Sequence, residues 1–527
     1  MTKEHLLPLV AVVALVFTVA CEMLPVIHPG RQPAQAGLTV PSLRAPQIPD
    51  PPSRAARVSY LQGSVSFQAA GTEVWSRAEL NRPLAEGDAL WIDGAARAEL
   101  DIGSATIRMD SRTRLDFLTF DDRTVQARVV RGVLGVTVRR LDPGEALEID
   151  TPNAAVTLLQ PGQYRLDVQP QMDSTFVTVR SGDAEVSGTR LDVTVHAGQR
   201  ANISGPDAVE WGLAAAPAPD RFDELCELRD HREDTSASAQ YVAPDTIGYY
   251  DLDEFGAWRV DAKWGALWTP HGLAAGWAPY RSGHWTWVEL WGWTWIDDAT
   301  WGFAPFHYGR WIYLDGGWSW VPGPRQVNPT YAPALVVFVG GGGRGGVAWF
   351  PIGPGEVYVP PYRCSSSYFA RINPANTRPG YANRSAAGAV TAVPRKVFVR
   401  GQPIAPAAAL IPPRQTSLAP VYGTAPPVAP VEESLSPRRD RFVLEPPEIA
   451  PGQTVIGRRD PAPPPIPYRQ RQAALDSHPG RPLEQSELQS LRKAAAEPER
   501  SDVRAARLGV LERESVAPAE PARTLRK

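Results

Sequence analysis

Thirteen of the seventeen tryptophans lie between Trp258 and Trp320, and their arrangement restricts the fold more than any other feature of this 527-residue chain. An aromatic-Ala-Pro step occurs three times, at Trp277-Ala278-Pro279, Phe303-Ala304-Pro305 and Tyr331-Ala332-Pro333, with spacings of 26 and 28 residues. Each step precedes two short aromatic or β-branched runs separated by a turn. The runs are Trp285-Thr286-Trp287 with Trp293-Thr294-Trp295, Trp311-Ile312-Tyr313 with Trp318-Ser319-Trp320, and Val336-Val337-Phe338 with Val347-Ala348-Trp349. Side chains alternate along a strand, so Trp285 and Trp287 share a face, and a short turn sets Trp293 and Trp295 opposite them. Such cross-strand aromatic pairs contribute up to ~1 kcal/mol each. The pattern predicts stacked β-hairpins with the rings inward and Thr286, Thr294 and Ser319 outward.

The length calls for more than one domain. A net charge of −3 leaves no nucleic-acid footprint at the level of the whole chain. Three cysteines, Cys21, Cys226 and Cys364, are too few for a disulfide scaffold or a structural zinc site. Near the N-terminus, Lys3 precedes an apolar run from Leu6 to Ala20, short for a spanning helix and long enough for an export signal. The run ends at Thr18-Val19-Ala20-Cys21, small residues before a cysteine that resemble a bacterial lipobox, although Thr18 stands where Leu is usual. The resemblance implies that Cys21 is lipidated and becomes the mature N-terminus; the other reading is a plain cleaved signal over residues 1–21. In an oxidising compartment Cys226 and Cys364 could pair, or remain separate thiols.

Residues 22–55, rich in Pro and small residues, read as a flexible tether. Residues 56–212 alternate with period two in short segments, as in Ala98-Glu99-Leu100-Asp101-Ile102, and glycines such as Gly132 and Gly198 fall at turn positions. That predicts an all-β domain with one wet face per sheet. Its pieces, in order, include Leu84-Ala85-Glu86-Gly87-Asp88, Val130-Arg131-Gly132-Val133-Leu134-Gly135-Val136, Thr151-Pro152-Asn153-Ala154, Pro161-Gly162-Gln163-Tyr164-Arg165 and Val179-Arg180-Ser181-Gly182-Asp183. Together they resemble a FecR-like domain, the periplasmic β domain of iron-dicitrate sensor regulators. The resemblance implies an extracytoplasmic address. The chain departs from the signalling members in having no convincing transmembrane helix and no cytoplasmic segment before one.

Residues 213–240 read as a helical linker, with Phe222, Leu225 and Leu228 at helical spacing. Residues 241–375 hold the Trp repeat. Tyr250-Asp251-Leu252-Asp253, Gly256-Ala257-Trp258, Trp277-Ala278-Pro279-Tyr280 and the run Trp301 to Trp311 resemble a tryptophan-rich bacterial domain of unknown function found after FecR-like domains. Residues 376–527 carry 24 prolines and no tryptophan, and read as a mostly disordered tail. Gly340 to Gly346 lacks the Lys-Ser/Thr ending of a phosphate loop and reads as a hairpin loop.

No catalytic set emerges. His271, His284 and His307 match no zinc spacing and read as turn histidines bonded to backbone. Asp297 and Asp298 are sequence neighbours, whereas a glycosidase pair faces across ~5–9 Å, so they read as turn residues. Most indoles read as core. Trp264, Trp268 and Trp291, on edges or loops, are the candidate binding surface. The expectation is therefore a mainly β chain, with a FecR-like domain, a Trp-rich hairpin module, a linker helix and a disordered Pro-rich tail. It would be exported to the periplasm or cell envelope and be anchored to the membrane as a lipoprotein through lipidated Cys21. It would bind or scaffold an envelope protein or cell-wall polymer, with no enzymatic activity, cofactor or metal. Alternatives are a FecR-type signalling regulator and a carbohydrate-binding module.

Overall fold

The computed structural model describes residues 50–494, apart from 206–209, 326–327, 341–345, 375–379, 411–418, 437–444 and 448–453, together with 503–505. Cys21, residues 22–49 of the tether and most of the Gly340 to Gly346 loop lie outside the described residues. The fold is mainly β.

Seventeen strands between Ala56 and Ala215 join in one hydrogen-bonded network. Period two holds where expected: in Gly162–Gln169, Tyr164, Leu166 and Val168 point into the core while their neighbours face outward. The fifteen-residue strand Thr124–Val138 organises the unit. Its first half pairs with Thr113–Phe120 and, in parallel, with Ala146–Asp150; its second half pairs with Ala105–Met109 and Gly162–Gln169. The change of partners falls around Gly132, whose φ is +105°. A Cβ there would lie 2.4 Å from Thr113 Cα, so glycine answers both the left-handed backbone and the close approach.

The linker helix, Arg221–Asp234, starts at a capping box in which Asp220 accepts from the Phe222 and Asp223 amides and the Asp223 carboxylate accepts from the Asp220 amide. Its docking face is not the expected Phe222, Leu225, Leu228 stripe. Leu228 is 67% exposed, and Phe222, Asp230 and Glu233 are the buried residues. The helix lies on the wet face of the sheet, where Arg108 and Arg139 offer charge, so acids at helical spacing pack better there than leucines.

The Trp module contains the expected hairpins in the expected register, but Thr286, Thr294 and Ser319, expected outward, are buried, because other elements cover the second face: Thr286 donates to Ser434 O and Ser319 bonds Thr269. Gly283–Val288 pairs with Gly292–Asp297, placing Trp285 opposite Trp295 and Trp287 opposite Trp293. Arg310–Leu314 pairs with Gly317–Val321, and Val336–Val339 with Gly346–Pro351. A further hairpin, Gly256–Asp261 with Gly265–Pro270, joins the second to make a four-stranded sheet. The rings seal one hairpin against the next: the Trp285 and Trp349 centroids are 5.4 Å apart, those of Trp268 and Trp301 5.0 Å.

The Pro-rich stretch differs from the expectation in its described segments. Thr391–Pro394 and Val421–Gly423 add strands to the sheet of the third hairpin. Phe398, fully buried, lies 4.5 Å from Trp293 and 5.3 Å from Trp285 between ring centroids. Ile456 donates its amide to Thr151 O at 2.8 Å, and the helix Tyr468–Ser477 places Arg471 against Glu289 and Ala70 O. Proline does not bar such packing, because single β-branched or aromatic residues between prolines still find apolar surface that the hairpins leave uncovered.

The two β units meet through buried polar groups. Arg57 Nη2 lies 2.6 Å from Asp251 Oδ2 and donates to Asn81 Oδ1 and Thr300 O, both at 2.8 Å. Asn81 in turn donates to Asp297 O and Ala299 O.

Candidate functional site

Ten of the thirteen clustered indoles are buried, so exposure singles out Trp258, Trp264 and Trp277. Trp258 stacks on Tyr241 at 4.5 Å and Trp277 sits edge-on to Trp311 at 5.5 Å. Two residues of the expected binding surface are therefore core. Trp268 donates its indole N–H to Leu252 O at 3.1 Å, in space left open by Gly256, where a Cβ would fall 2.3 Å from the ring. Trp291 donates to Pro52 O at 3.3 Å, covered by the segment that leads into the first strand. Both corrections have one cause: residues distant in sequence cover rings that local reading left at an edge.

Trp264 is different. It lies half-buried at the mouth of a cavity of about 430 Å³ within the Trp module. The cavity forms where four pieces meet: the turn between Gly256–Asp261 and Gly265–Pro270, the ends of Arg310–Leu314 and Gly317–Val321, the Pro354–Glu356 loop, and the end of the helix Ser366–Ile372. Its most informative wall residue is Arg310. Arg310 donates to Gly309 O at 2.8 Å, Ile372 O at 3.1 Å and Asn373 Oδ1 at 3.3 Å. Its Nε has no partner and is shut from solvent, and burial lowers its pKa to about 10, so it remains a cation at neutral pH. Tyr280, Tyr358 and the Glu356 carboxylate favour its charged form. Glu356, on the same wall, accepts from the Gly353 amide at 2.7 Å and the Ala382 amide at 2.6 Å. Lys263 and Arg371 add positive charge at the rim, over the Trp264 ring at 4.7 Å and the Tyr368 ring at 5.5 Å. Thr330 contributes an Oγ1 without a partner. The spacing of Arg310, Arg371 and Trp264 in sequence holds no signal that they converge.

A second cleft of about 350 Å³ adjoins it and shares Tyr308, Asn328, Thr330 and Arg371. There the cations are matched: Arg54 lies 3.3 Å from Glu145 and Arg140 pairs with Asp142 and Asp245.

The histidines take separate roles. His307 is fully buried, its Nδ1 2.8 Å from Ala332 O, and burial lowers its pKa to about 3. The backbone contact agrees with the sequence reading. His284 Nε2 instead lies 3.0 Å from Glu79 Oε2, a side-chain contact made across the two β units, and His271 is exposed. Asp297 takes a turn role, accepting from the Ala299 amide and the Trp295 indole, both at 3.0 Å. Cys226 and Cys364 are free thiols, so the possible bridge is not formed. Cys226 packs over Gly135, and burial pushes its pKa up to about 12, whereas Cys364 lies by the helix Ser366–Ile372 near Asp50. Among the described residues no group of three or more His, Cys, Asp or Glu is placed to hold a metal ion, and no helix is long and apolar enough to cross a membrane.

Comparison with known proteins places a family of unknown function (DUF6600) on residues 249–356, the body of the Trp module. No curated protein matches the chain. Two crystal structures of a candidate anti-sigma factor from Parabacteroides distasonis are similar at 14% and 13% identity, with TM-scores of 0.23 and 0.24. They cover 25% and 26% of this chain, which spans 60% and 64% of their length.

Proposed function

We propose that the chain is an exported, non-catalytic envelope protein, anchored through a lipidated Cys21, that binds or scaffolds an envelope protein or cell-wall polymer. The observation that carries this reading is the use of the aromatics. Ten of thirteen clustered indoles build a frame. The cavity at its edge is lined by cations, prolines and one indole, with Glu356 held by two backbone amides and His307 kept neutral by burial. In this reading residues 56–212 are a FecR-like platform, supported by the order of the motif pieces from Leu84 to Asp183, and the described Pro-rich segments brace the platform to the Trp module.

The test is to express the full chain in a bacterial host, fractionate the cells, and take the mass of the mature N-terminus. A diacylated Cys21 in the membrane fraction, released by Cys21→Ser, is the expected result. A soluble cytoplasmic chain that starts at Met1, or turnover of a glycan or peptide by the purified protein, would remove the reading. The resemblance to FecR-like domains favours a second reading as an envelope signalling regulator. That one requires the apolar run from Leu6 to Ala20 to stay uncleaved, so the same mass separates the two.

A further inference from the structure

We propose that the strand Glu210–Ala215 is a self-association edge, through which two copies of this chain pair antiparallel and join their sheets about a twofold axis at Gly212. The first argument is the edge itself. Among the described residues the strand pairs only with Gln199–Ser204. Five of its six residues are exposed, with Trp211 at 47% and Leu213 at 44%. Just past its end, Ala216 donates its amide to Gly198 O at 2.8 Å. Bonded pairs alternate along an antiparallel ladder, so Ala214, Gly212 and Glu210 also bond inward, while Trp211, Leu213 and Ala215 turn N–H and C=O outward. The other side of Gln199–Ser204 agrees, since the Gly205 amide there bonds to Asp173 O at 2.9 Å. An outward row of backbone groups is a template for another strand, and folded chains usually blunt it with Lys, Pro or a bulge. None of these interrupts residues 210–215, whose register with Gln199–Ser204 is unbroken. The strand Asp192–His196 provides the contrast. Among the described residues it too has one partner, Asp183–Ser187, but it ends in exposed Asp192 and His196.

The second argument selects the occupant. Trp211 stands opposite Ile203 and Leu213 opposite Ala201, both buried, so the two exposed side chains continue the core face of the sheet. A twofold axis at Gly212 sets Trp211 against the second copy's Leu213, and Leu213 against its Trp211. These residues carry the outward N–H and C=O groups, so each pair exchanges both of its backbone bonds. Each is also an aromatic–aliphatic cross-strand contact on one face. Glu210 falls opposite Ala214, so no like charges meet. Gly212 lies at the axis, where an added Cβ would meet nothing within 4 Å. An extended peptide of another protein has the backbone to add at this edge, but the strand's own sequence supplies the complement, and a closed pair leaves neither edge open. The contact is short, so the pair belongs with weak, reversible associations.

The test uses the purified full-length chain. Sedimentation equilibrium over an about hundredfold range of concentration is expected to show monomer passing to dimer, and Leu213→Lys to weaken that dimer by at least about tenfold, because each dimer carries the change twice. The side chain faces water, so the melting temperature is expected to stay the same. Gly212→Cys reads the axis. Opposed residues of a non-bonded antiparallel pair lie about 4.5 Å apart at Cα, within disulfide reach. Mild oxidation is therefore expected to link this variant into a dimer beyond any formed by the unaltered chain, whereas Asp192→Cys, on the contrasting edge, is not expected to link. A chain that stays monomeric, a dimer indifferent to Leu213→Lys, or no linkage of Gly212→Cys would overturn the proposal. The first of these would leave the edge to a peptide of another protein.

Discussion

Between the Arg97–Asp101 and Ala105–Met109 strands and the Arg221–Asp234 helix, Arg108 lies 2.7 Å from Glu99 and 2.8 Å from Asp230, and Arg139 lies 3.1 Å from Asp230 and Glu233. In the Trp module, by contrast, Arg310 and Arg281 meet backbone, amide and hydroxyl oxygens only. These two sites thus treat enclosed guanidinium groups in opposite ways, although the buried Arg82 of the N-terminal unit also donates to a carbonyl, Leu435 O. The N-terminal unit has a wet sheet face and uses ion pairs to dock a helix on it. The Trp unit has rings on its inner faces and uses its arginines to tie loops to the frame. Arg281 shows what a purely structural arginine looks like there, since each of its nitrogens donates a bond. Arg310 leaves its Nε without a partner and shut from solvent, as Arg82 does in the N-terminal unit.

The contrast predicts its own failures. The largest effect belongs to the ring core: Trp285→Ala or Phe398→Ala is expected to destabilise the fold by about 3–5 kcal/mol, read by chemical denaturation. A loss below about 1 kcal/mol for Phe398→Ala would mean that the Pro-rich segment does not complete the core.

The ion-pair face is expected to answer to acid. Burial opposes ionisation of Glu99, but the hydrogen bonds and charges of Arg229 and Arg108 outweigh it and hold its pKa at about 2. The folded state therefore binds its proton less readily than the unfolded chain. The stabilisation, about 3 kcal/mol, is present above the unfolded carboxyl pKa and is lost as pH falls from about 4.5 to about 2. Glu99→Gln should flatten that limb of a melting-temperature profile; a limb unchanged by the substitution would assign the loss elsewhere.

A smaller effect is expected at the strand crossing. Gly132→Ala meets both a positive φ and Thr113, and should cost about 1–3 kcal/mol. The smallest effects test the surfaces. Leu228→Lys should shift stability by no more than about 0.5 kcal/mol, because the side chain faces water. A loss above about 1 kcal/mol would restore the apolar stripe that spacing suggested.

The hairpins were legible because their information is local. Alternation of Trp285 and Trp287 with Thr286, and a turn of the right length, determine both the strand and its register. Gly132 was legible as a glycine with positive φ, but it lies inside the strand Thr124–Val138 rather than at a turn. The cavity was not legible, because Trp264, Arg310 and Arg371 come from three elements whose spacing is set by how the sheets stack. Trp268 and Trp291 misled for the matching reason: the Pro52 carbonyl and the open side of Gly256 are not neighbours in sequence.

What the sequence by itself determined is the pairing and register within each hairpin, since backbone geometry and side-chain period act over a few residues. What only the tertiary structure decided is which surfaces are covered. Segments more than a hundred residues apart, such as Phe398 on Trp285 and Asp251 on Arg57, remove apolar area and match charge only after the chain has closed on itself.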